Sequence, residues 1–171
     1  NQETTPDSFH ADGFERLRRP AGTDFFTVLR YPNHASWADG HGGEFLVSAS
    51  MDHTAKLWDL VASKVKTTFR GHVDSVNSVC FQPFSNTIAT GSGDKTVSLW
   101  DCRSGLCVQT FYGHQNAVND TAFAMRGDVV ASTDADGQVR LWDVRMVAEI
   151  ATINCSGPQG AACNGAAFDA S

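Results

Sequence analysis

Imidazole, hydroxyl and carboxylate side chains recur along this chain at fixed steps, and they are the three groups of a nucleophilic hydrolase. Histidine follows glycine at Gly71-His72 and Gly113-His114; hydroxyl residues stand at Ser48, Thr90 and Ser132; aspartates stand at Asp52, Asp94 and Asp136. A histidine oriented by an aspartate and facing a hydroxyl would be an acyl-transfer arrangement. Two features speak against that use. The groups come in series, each 42 residues from its counterpart, whereas a catalytic triad is a single constellation. No G-x-S-x-G elbow accompanies them. The chain is expected to be no enzyme and to carry no catalytic residue.

The same step carries a fourth residue. Trp58-Asp59, Trp100-Asp101 and Trp142-Asp143 are also 42 residues apart. A period of roughly 40–45 residues with Gly-His and Trp-Asp marks the blades of a β-propeller, each of four strands. The segments before the tryptophans, Ala55-Lys56-Leu57, Val97-Ser98-Leu99 and Val139-Arg140-Leu141, alternate so that Ala/Val and Leu share one face and tryptophan takes the other. Apolar groups on both faces predict a strand buried between neighbouring sheets. Apolar strands precede the hydroxyl residues at Phe45-Leu46-Val47, Thr87-Ile88-Ala89 and Val129-Val130-Ala131, and a further strand closes on Phe69, Phe111 and Ile153. Turn formers surround the aspartates.

A tryptophan inside such a blade must give its indole N–H an acceptor, and a buried aspartate needs donors. A hydroxyl from the adjacent strand meets the first need, and the Gly-His imidazole links that hydroxyl to the carboxylate. This pattern resembles the structural tetrad of the WD-repeat family. The resemblance implies one set of His72, Thr90, Asp94 and Trp100, a second of His114, Ser132, Asp136 and Trp142, and an incomplete first set of Ser48, Asp52 and Trp58. The first histidine is expected near positions 28 to 30, where the sequence reads Val28-Leu29-Arg30.

The period places the blades over residues 34–171, with Trp-Asp units ending near 59, 101 and 143 and a further blade begun near 163. Residues 1–33 are left unassigned, as linker or return strand, with Phe25-Phe26-Thr27-Val28-Leu29 one candidate strand. Trp37 takes the place of Phe81 and Phe123, with two residues inserted in the turn Asp39-Gly40-His41-Gly42-Gly43. Phe168 follows Phe123 by 45 positions, so about three residues are added around Gly157-Pro158-Gln159-Gly160, and the third Gly-His is replaced by Cys155-Ser156. The fold class is therefore all-β, an incomplete set of four-stranded blades. Since a ring needs about four to eight of them, a fragment of a longer chain is expected.

A formal charge of −6 argues against a general nucleic-acid binder and against anionic membranes. Arg16, Arg18 and Arg19 form one small basic cluster, read as a solvated run. The five cysteines, Cys80, Cys102, Cys107, Cys155 and Cys163, show no C-x-x-C pair, so free thiols are expected, and neither metal nor cofactor.

The spacer residues say more. The runs Gly71-His72-Val73-Asp74-Ser75-Val76-Asn77-Ser78, Phe81-Gln82-Pro83-Phe84-Ser85-Asn86-Thr87, Gly91 to Asp101 and Val118-Asn119-Asp120 stand in this sequence. They resemble the C-terminal propeller of the sperm-associated antigen family of the ciliary axoneme. That resemblance implies a scaffold in the central apparatus of the cilium or flagellum, contributing to its assembly and motility. It implies a place in the cytoplasm on the cytoskeleton, other central-apparatus proteins as partners, and microtubules met indirectly. The loops after Gly-His and before each turn aspartate nominate one contact face: Ser75, Asn77 and Gly93, then Ala117, Asn119 and Ala135. The competing reading is a soluble cytoplasmic adaptor for a peptide or degradation signal.

Overall fold

The computed structural model describes residues 25–31, 45–157 and 160–169. Within them lie three antiparallel sheets of four strands each. The first comprises β1 (Phe25–Tyr31), β2 (Phe45–Ser50), β3 (Thr54–Asp59) and β4 (Lys64–Arg70), paired in chain order. The second comprises β5 (Val76–Phe81), β6 (Thr87–Ser92), β7 (Thr96–Asp101) and β8 (Cys107–Tyr112). The third comprises β9 (Val118–Phe123), β10 (Val129–Asp134), β11 (Gln138–Asp143) and β12 (Ala148–Asn154). The sheets stack like blades, with the leading strands β1, β5 and β9 abutting one another. The loops holding His72 and His114 lie at one end, called here the histidine face. The β3–β4, β5–β6, β7–β8, β9–β10 and β11–β12 turns lie at the other, the hairpin face.

The cores sit between sheets. Phe45, Val47, Ala49, Ala55, Leu57 and Phe69 of the first sheet meet Val76, Val79, Ile88, Trp100 and Cys102 of the second. Ala89, Val97, Leu99 and Phe111 of the second meet Val118, Val130 and Trp142 of the third. The two-faced β7 explains this: Val97 and Leu99 point into one core, Trp100 into the other, all nearly sealed from solvent. Each tryptophan lies on the apolar residue that closes the preceding sheet, Trp100 on Phe69 at 5.9 Å between ring centroids and Trp142 on Phe111 at 5.3 Å. Phe69 and Phe111 are 1% and 3% exposed, whereas Ile153, their counterpart in β12, is 51% exposed. Burial of each such ring stabilises the stack by about 1.5–3 kcal/mol.

Two sequence expectations change. The strand expected over 25–29 is β1, and it is the leading strand of the first sheet, so that sheet starts ahead of position 34. Arg30 pairs with Leu46 as Phe81 pairs with Ile88, so Arg30, not Trp37, holds the register position of Phe81. The reason is pairing: β2 needs a partner along its whole length, and the Phe25–Tyr31 run supplies it in register through one bulge. The link from β1 to β2 then spans residues 32–44, not a turn with two residues inserted. Trp37, the 39–43 turn and the Arg16, Arg18 and Arg19 cluster lie outside the described residues.

At Gly91 the second and third sheets leave no room for a side chain. A Cβ there would lie 2.6 Å from Val118 Cγ1, 2.8 Å from Ser78 Oγ and 2.9 Å from Thr121 Cγ2. Gly91→Ala is therefore expected to lower stability by ~1–3 kcal/mol through overpacking. Gly165→Ala, whose Cβ meets only Asp120 Oδ2 at 3.4 Å, stays within about 0.5 kcal/mol. Thermal melting of the parent protein measures both; equal shifts would show that the sheets are not locked at Gly91.

Candidate functional site: the buried tetrads and the histidine face

In the second sheet Trp100 Nε1 donates to Thr90 Oγ1 at 2.8 Å. Thr90 Oγ1 lies 2.7 Å from His72 Nε2, and His72 Nδ1 lies 2.7 Å from Asp94 Oδ2. A neutral imidazole protonated on Nδ1 satisfies every atom: the indole donates to the hydroxyl, the hydroxyl to Nε2, and Nδ1–H to the carboxylate. Register brings the groups together. Ile88 pairs with Trp100, so Thr90, two residues on, lies beside the indole on the same face. Asp94 occupies the following turn, where its Oδ1 accepts from Thr96 N at 3.1 Å and Thr96 Oγ1 at 2.6 Å. Burial pushes the Asp94 carboxyl up, but the hydrogen bonds from Thr96 and His72 outweigh it and hold it below the usual carboxylate range.

The third sheet builds the same network with a different carboxylate. Trp142 Nε1 donates to Ser132 Oγ at 2.7 Å, and Ser132 Oγ lies 2.6 Å from His114 Nε2. His114 Nδ1, however, meets Asp134 Oδ2 at 2.7 Å, not Asp136. Asp134 stands at the register position of Ser92, and its longer side chain does two jobs. Its Oδ1 accepts from Asp136 N at 3.0 Å, as Ser92 Oγ accepts from Asp94 N at 3.2 Å. It also accepts from Gln138 N at 2.9 Å, as Asp94 accepts from Thr96 N. With the buried place filled, Asp136 turns out to the surface, where it accepts from Asn116 Nδ2 at 2.9 Å. The 42-residue period picks Asp136; the signal that picks Asp134 is a carboxylate where the other units have Ser50 and Ser92. Burial holds His114 below its ordinary value, against the opposing pull of the Asp134 contact.

The first set is incomplete, as the spacing implied. Trp58 Nε1 donates to Ser48 Oγ at 2.9 Å. Asp52 is half exposed, accepting from Thr54 N at 3.0 Å and pairing with Lys56 at 3.6 Å. Positions 28 to 30 lie inside β1, opposite Ser48, Val47 and Leu46, so a histidine there could not serve a tetrad. Counting back from β1 with the register of β5 puts the place of His72 at Ala21, outside the described residues.

The clusters have the groups of a hydrolase triad without its access. Thr90 and Ser132 are fully buried, each roofed by the indole that donates to it. These networks are satisfied interior polar groups, strengthened by the low dielectric around them. The thiols of Cys80 and Cys102 are likewise interior, pushed up to about 12 by burial.

The six nominated contact residues do come together on the histidine face, all half-buried. Gly93 N donates to Ser75 O at 2.8 Å and Ala135 N to Ala117 O at 3.0 Å. Two of the six have a different occupation. Asn77 and Asn119 are the extra residues of β-bulges in β5 and β9, which turn their side chains toward the next sheet. Asn77 Nδ2 donates to Val118 O at 2.7 Å and Asn119 Nδ2 to Cys163 O at 2.9 Å. They are staples between blades. Cys163 accepts where Val118 does in the preceding interface, so the segment from 163 continues the series of leading strands, although no strand is formed there.

Repeated four-stranded blades, two of the three closed by an indole–hydroxyl–imidazole–carboxylate network and the other by its indole–hydroxyl pair, define a propeller-type repeat protein. The chain belongs to the family described as WD domain, G-beta repeat, whose model matches residues 31–59, 63–101 and 105–143. Each of the last two repeats begins at the outer strand of one sheet and ends on the third strand of the next, so one repeat ties two sheets. Among similar proteins, the guanine nucleotide-binding protein subunit beta of Solanum tuberosum is 50% identical over 50 residues, 29% of this chain and 13% of that protein. WD repeat-containing protein 37 of Homo sapiens is 46% identical over 48 residues, 28% of this chain and 10% of that protein. Coatomer subunit beta'-2 of Arabidopsis thaliana is 37% identical over 51 residues, 30% of this chain and 6% of that protein. The matched segments thus span only 6% to 13% of these relatives.

Removing Asp134 leaves the buried His114 Nδ1 and the N–H groups of Asp136 and Gln138 without their acceptor, so Asp134→Ala is expected to cost at least ~1–3 kcal/mol. Asp136→Ala should cost less than about 1 kcal/mol, and Trp100→Phe ~1–3 kcal/mol for a hydroxyl left without its donor. Denaturant melts rank the three; an Asp136→Ala loss equal to that of Asp134→Ala would refute the carboxylate exchange. Acid should weaken the fold in two stages. The His114 contribution, present above its ordinary 6.5, is lost as pH falls below that value. That of Asp94 is present above 3.8 and is lost as pH falls further. Melting from pH 8 to 3 checks both, and His114→Gln should abolish the first stage.

Proposed function

We propose that this chain is part of a non-enzymatic scaffold that holds other proteins together, in the central apparatus of the ciliary or flagellar axoneme. The scaffold half rests on one observation: the chain's recurring polar residues are consumed in making the blades rigid. His72, Thr90, Asp94 and Asn77 are each hydrogen-bonded within or between sheets. What is left for function is a stiff surface built from turns, suited to contact with several neighbours. Two of the similar proteins are named as subunits, one of a guanine nucleotide-binding protein and one of coatomer, which agrees with a part in an assembly.

The axonemal half is carried by the resemblance in Pro83-Phe84-Ser85-Asn86 and Val118-Asn119-Asp120. These steps have physical roles that ordinary repeats meet in other ways: the first forms the β5–β6 turn and the second carries the Asn119 staple. The partners in this reading are neighbouring central-apparatus proteins, with microtubules reached through them. A net charge of −6 is a poor match for acidic tubulin surfaces.

Localisation of the tagged parent protein in demembranated cilia tests the proposal. Signal on the axoneme that disappears in cilia lacking the central pair is the expected result. Signal washed out with the membrane would overturn the axonemal reading and favour the soluble adaptor for a peptide or degradation signal.

A further inference from the structure

The face nominated by sequence is not the one that exposes large apolar side chains. On the hairpin face every described turn carries one: Val61, Phe84, Leu106, Met125 and Met146 are 76%, 65%, 68%, 59% and 75% exposed. One such residue is unremarkable on a surface; one at each of five neighbouring turns makes a patch. The histidine face has Met51, Val73 and Tyr112, set among the exposed carboxylates of Asp52, Asp74 and Asp136.

The exposed charges differ as well: the histidine face mixes the carboxylates of Asp52, Asp74 and Asp136 with Arg70 and Lys95, whereas the turns of the hairpin face expose cations. Lys64, Arg103, Arg126 and Arg145 are exposed among the apolar tips of the hairpin face. The carboxylates at that end are half-buried, and those of the Trp-Asp pairs are folded back into the turns. Asp59 accepts from Ala62 N at 2.8 Å, Asp101 from Ser104 N at 3.1 Å, and Asp143 from Arg145 N and Met146 N at 2.8 Å. The groups that project from the turns are therefore cations and hydrocarbons, with the exposed Glu149 carboxylate just beyond them in β12 and paired to Arg140.

The face is also held ready. Cys102 N donates to Asn86 O at 2.8 Å and Val144 N to Asp128 O at 2.9 Å, tying together the two turns of the second sheet and the two of the third. Gln82 Nε2 donates to Gly127 O at 2.6 Å and Thr67 Oγ1 to Cys102 O at 3.2 Å, tying one sheet to the next. Two bulky residues are kept in the left-handed region, Phe84 at φ 57° and β-branched Val147 at φ 54°, a conformation such side chains avoid. The residues in the place of Val147 in the other two sheets are Ser63 and Gly105. Strain of this kind persists where the surroundings fix it and gathers at ligand-holding surfaces. From Val147 a groove of about 380 Å3 runs up the rim between β8 and β12 to Tyr112, over Phe111 and Trp142, with Gln109, Thr110 and Glu149 on its sides and the Glu149 carboxylate paired to Arg140 at 2.6 Å.

We propose that the hairpin face docks a segment of a partner protein that carries Asp and Glu among large apolar residues. The inference rests on the scaffold reading above and names the surface and the chemistry of the occupant. Apolar side chains of the segment seat on the turn tips and in the groove, and its carboxylates meet Arg103, Arg126 and Arg145. Electrostatic complementarity of this kind selects the partner and speeds its arrival. An anionic bilayer fits less well: it would meet the field of the whole chain, at −6, whereas a segment meets the local one.

The test uses the full-length parent protein and a fluorescein-labelled designed peptide of about 18 residues, Leu and Phe alternating with pairs of Glu and Asp. A twin peptide has every acid replaced by its amide. Anisotropy titration is expected to show binding of the acidic peptide at least about tenfold tighter than the twin, weakening as salt rises. Leu106→Ser/Met125→Ser/Met146→Ser and Arg126→Gln/Arg145→Gln variants should each weaken it at least about tenfold at unchanged melting temperature. Variants of the histidine face, Ser75→Ala and Asp136→Asn, should leave it unchanged. Equal binding by the two peptides, or loss only in the histidine-face variants, overturns the inference. So does co-sedimentation with phosphatidylcholine–phosphatidylserine vesicles that is lost in the same hairpin-face variants, which would make the occupant a membrane. Self-association lost in those variants would make it a second copy. If the peptide fails while the parent still migrates in cell extract within a large complex, the inference falls and the scaffold reading stands; if the parent migrates alone, both fall.

Discussion

The indole N–H of a tryptophan sealed between two sheets must be given an acceptor, and the rest of each blade is arranged around that requirement. Trp100 is 2% exposed because Phe69 of the preceding sheet lies on it. Only a group already inside the same sheet can reach its N–H, and antiparallel pairing of β6 with β7 puts Thr90 there. A buried hydroxyl that accepts still has a proton to place, which calls in His72; the imidazole then has its own N–H to place, which calls in Asp94. Each member answers an unsatisfied group left by the one before. The histidine, hydroxyl and tryptophan keep one spacing, 18 and 10 residues in both networks, because each interval is a strand and its turn, whereas the carboxylate moves by two positions between them.

That chain of needs also couples sheets to one another. His72 arrives on the loop from β4 to β5, so the polar network of the second sheet is completed by the chain leaving the first. The apolar layer runs the same way, Phe69 onto Trp100 and Phe111 onto Trp142. Asn77 and Asn119, bulged out of their strands, add hydrogen bonds across the same boundaries. A blade here is consequently not an independent folding unit. Its repeat, as matched from 63 to 101, carries the last strand of one sheet and the first three of the next, and neither sheet is whole without both repeats.

The two ends of the stack differ because different constraints act on them. At the histidine face the turns must deliver imidazole and carboxylate to the interior, which fills that end with small residues and acids. At the hairpin face the turns reverse the chain and are tied to one another by a few hydrogen bonds, and each Trp-Asp carboxylate caps its own turn. Large apolar side chains stand mostly in solvent at all five of these turns, which a chain reversal by itself does not call for.

The all-β class, the four-stranded blades and the network of His72, Thr90, Asp94 and Trp100 were legible in the sequence. Each depends on local pattern: alternation sets which side of a strand faces a core, and a strict period reports a repeated solution to one packing problem. Three things were not legible, for one physical reason. Asp134 displaces Asp136 because reach and burial decide which of two nearby carboxylates meets His114. Arg30 holds the place given to Trp37 because pairing along β2 decides the register, and pairing has no local signature. Asn77 and Asn119 are staples because a bulge redirects them toward the next sheet. By itself the sequence determined the kind of repeat and the chemistry available to it. Only the tertiary structure decided which copy of each group is used, since that choice turns on distances between segments that the chain brings together by folding.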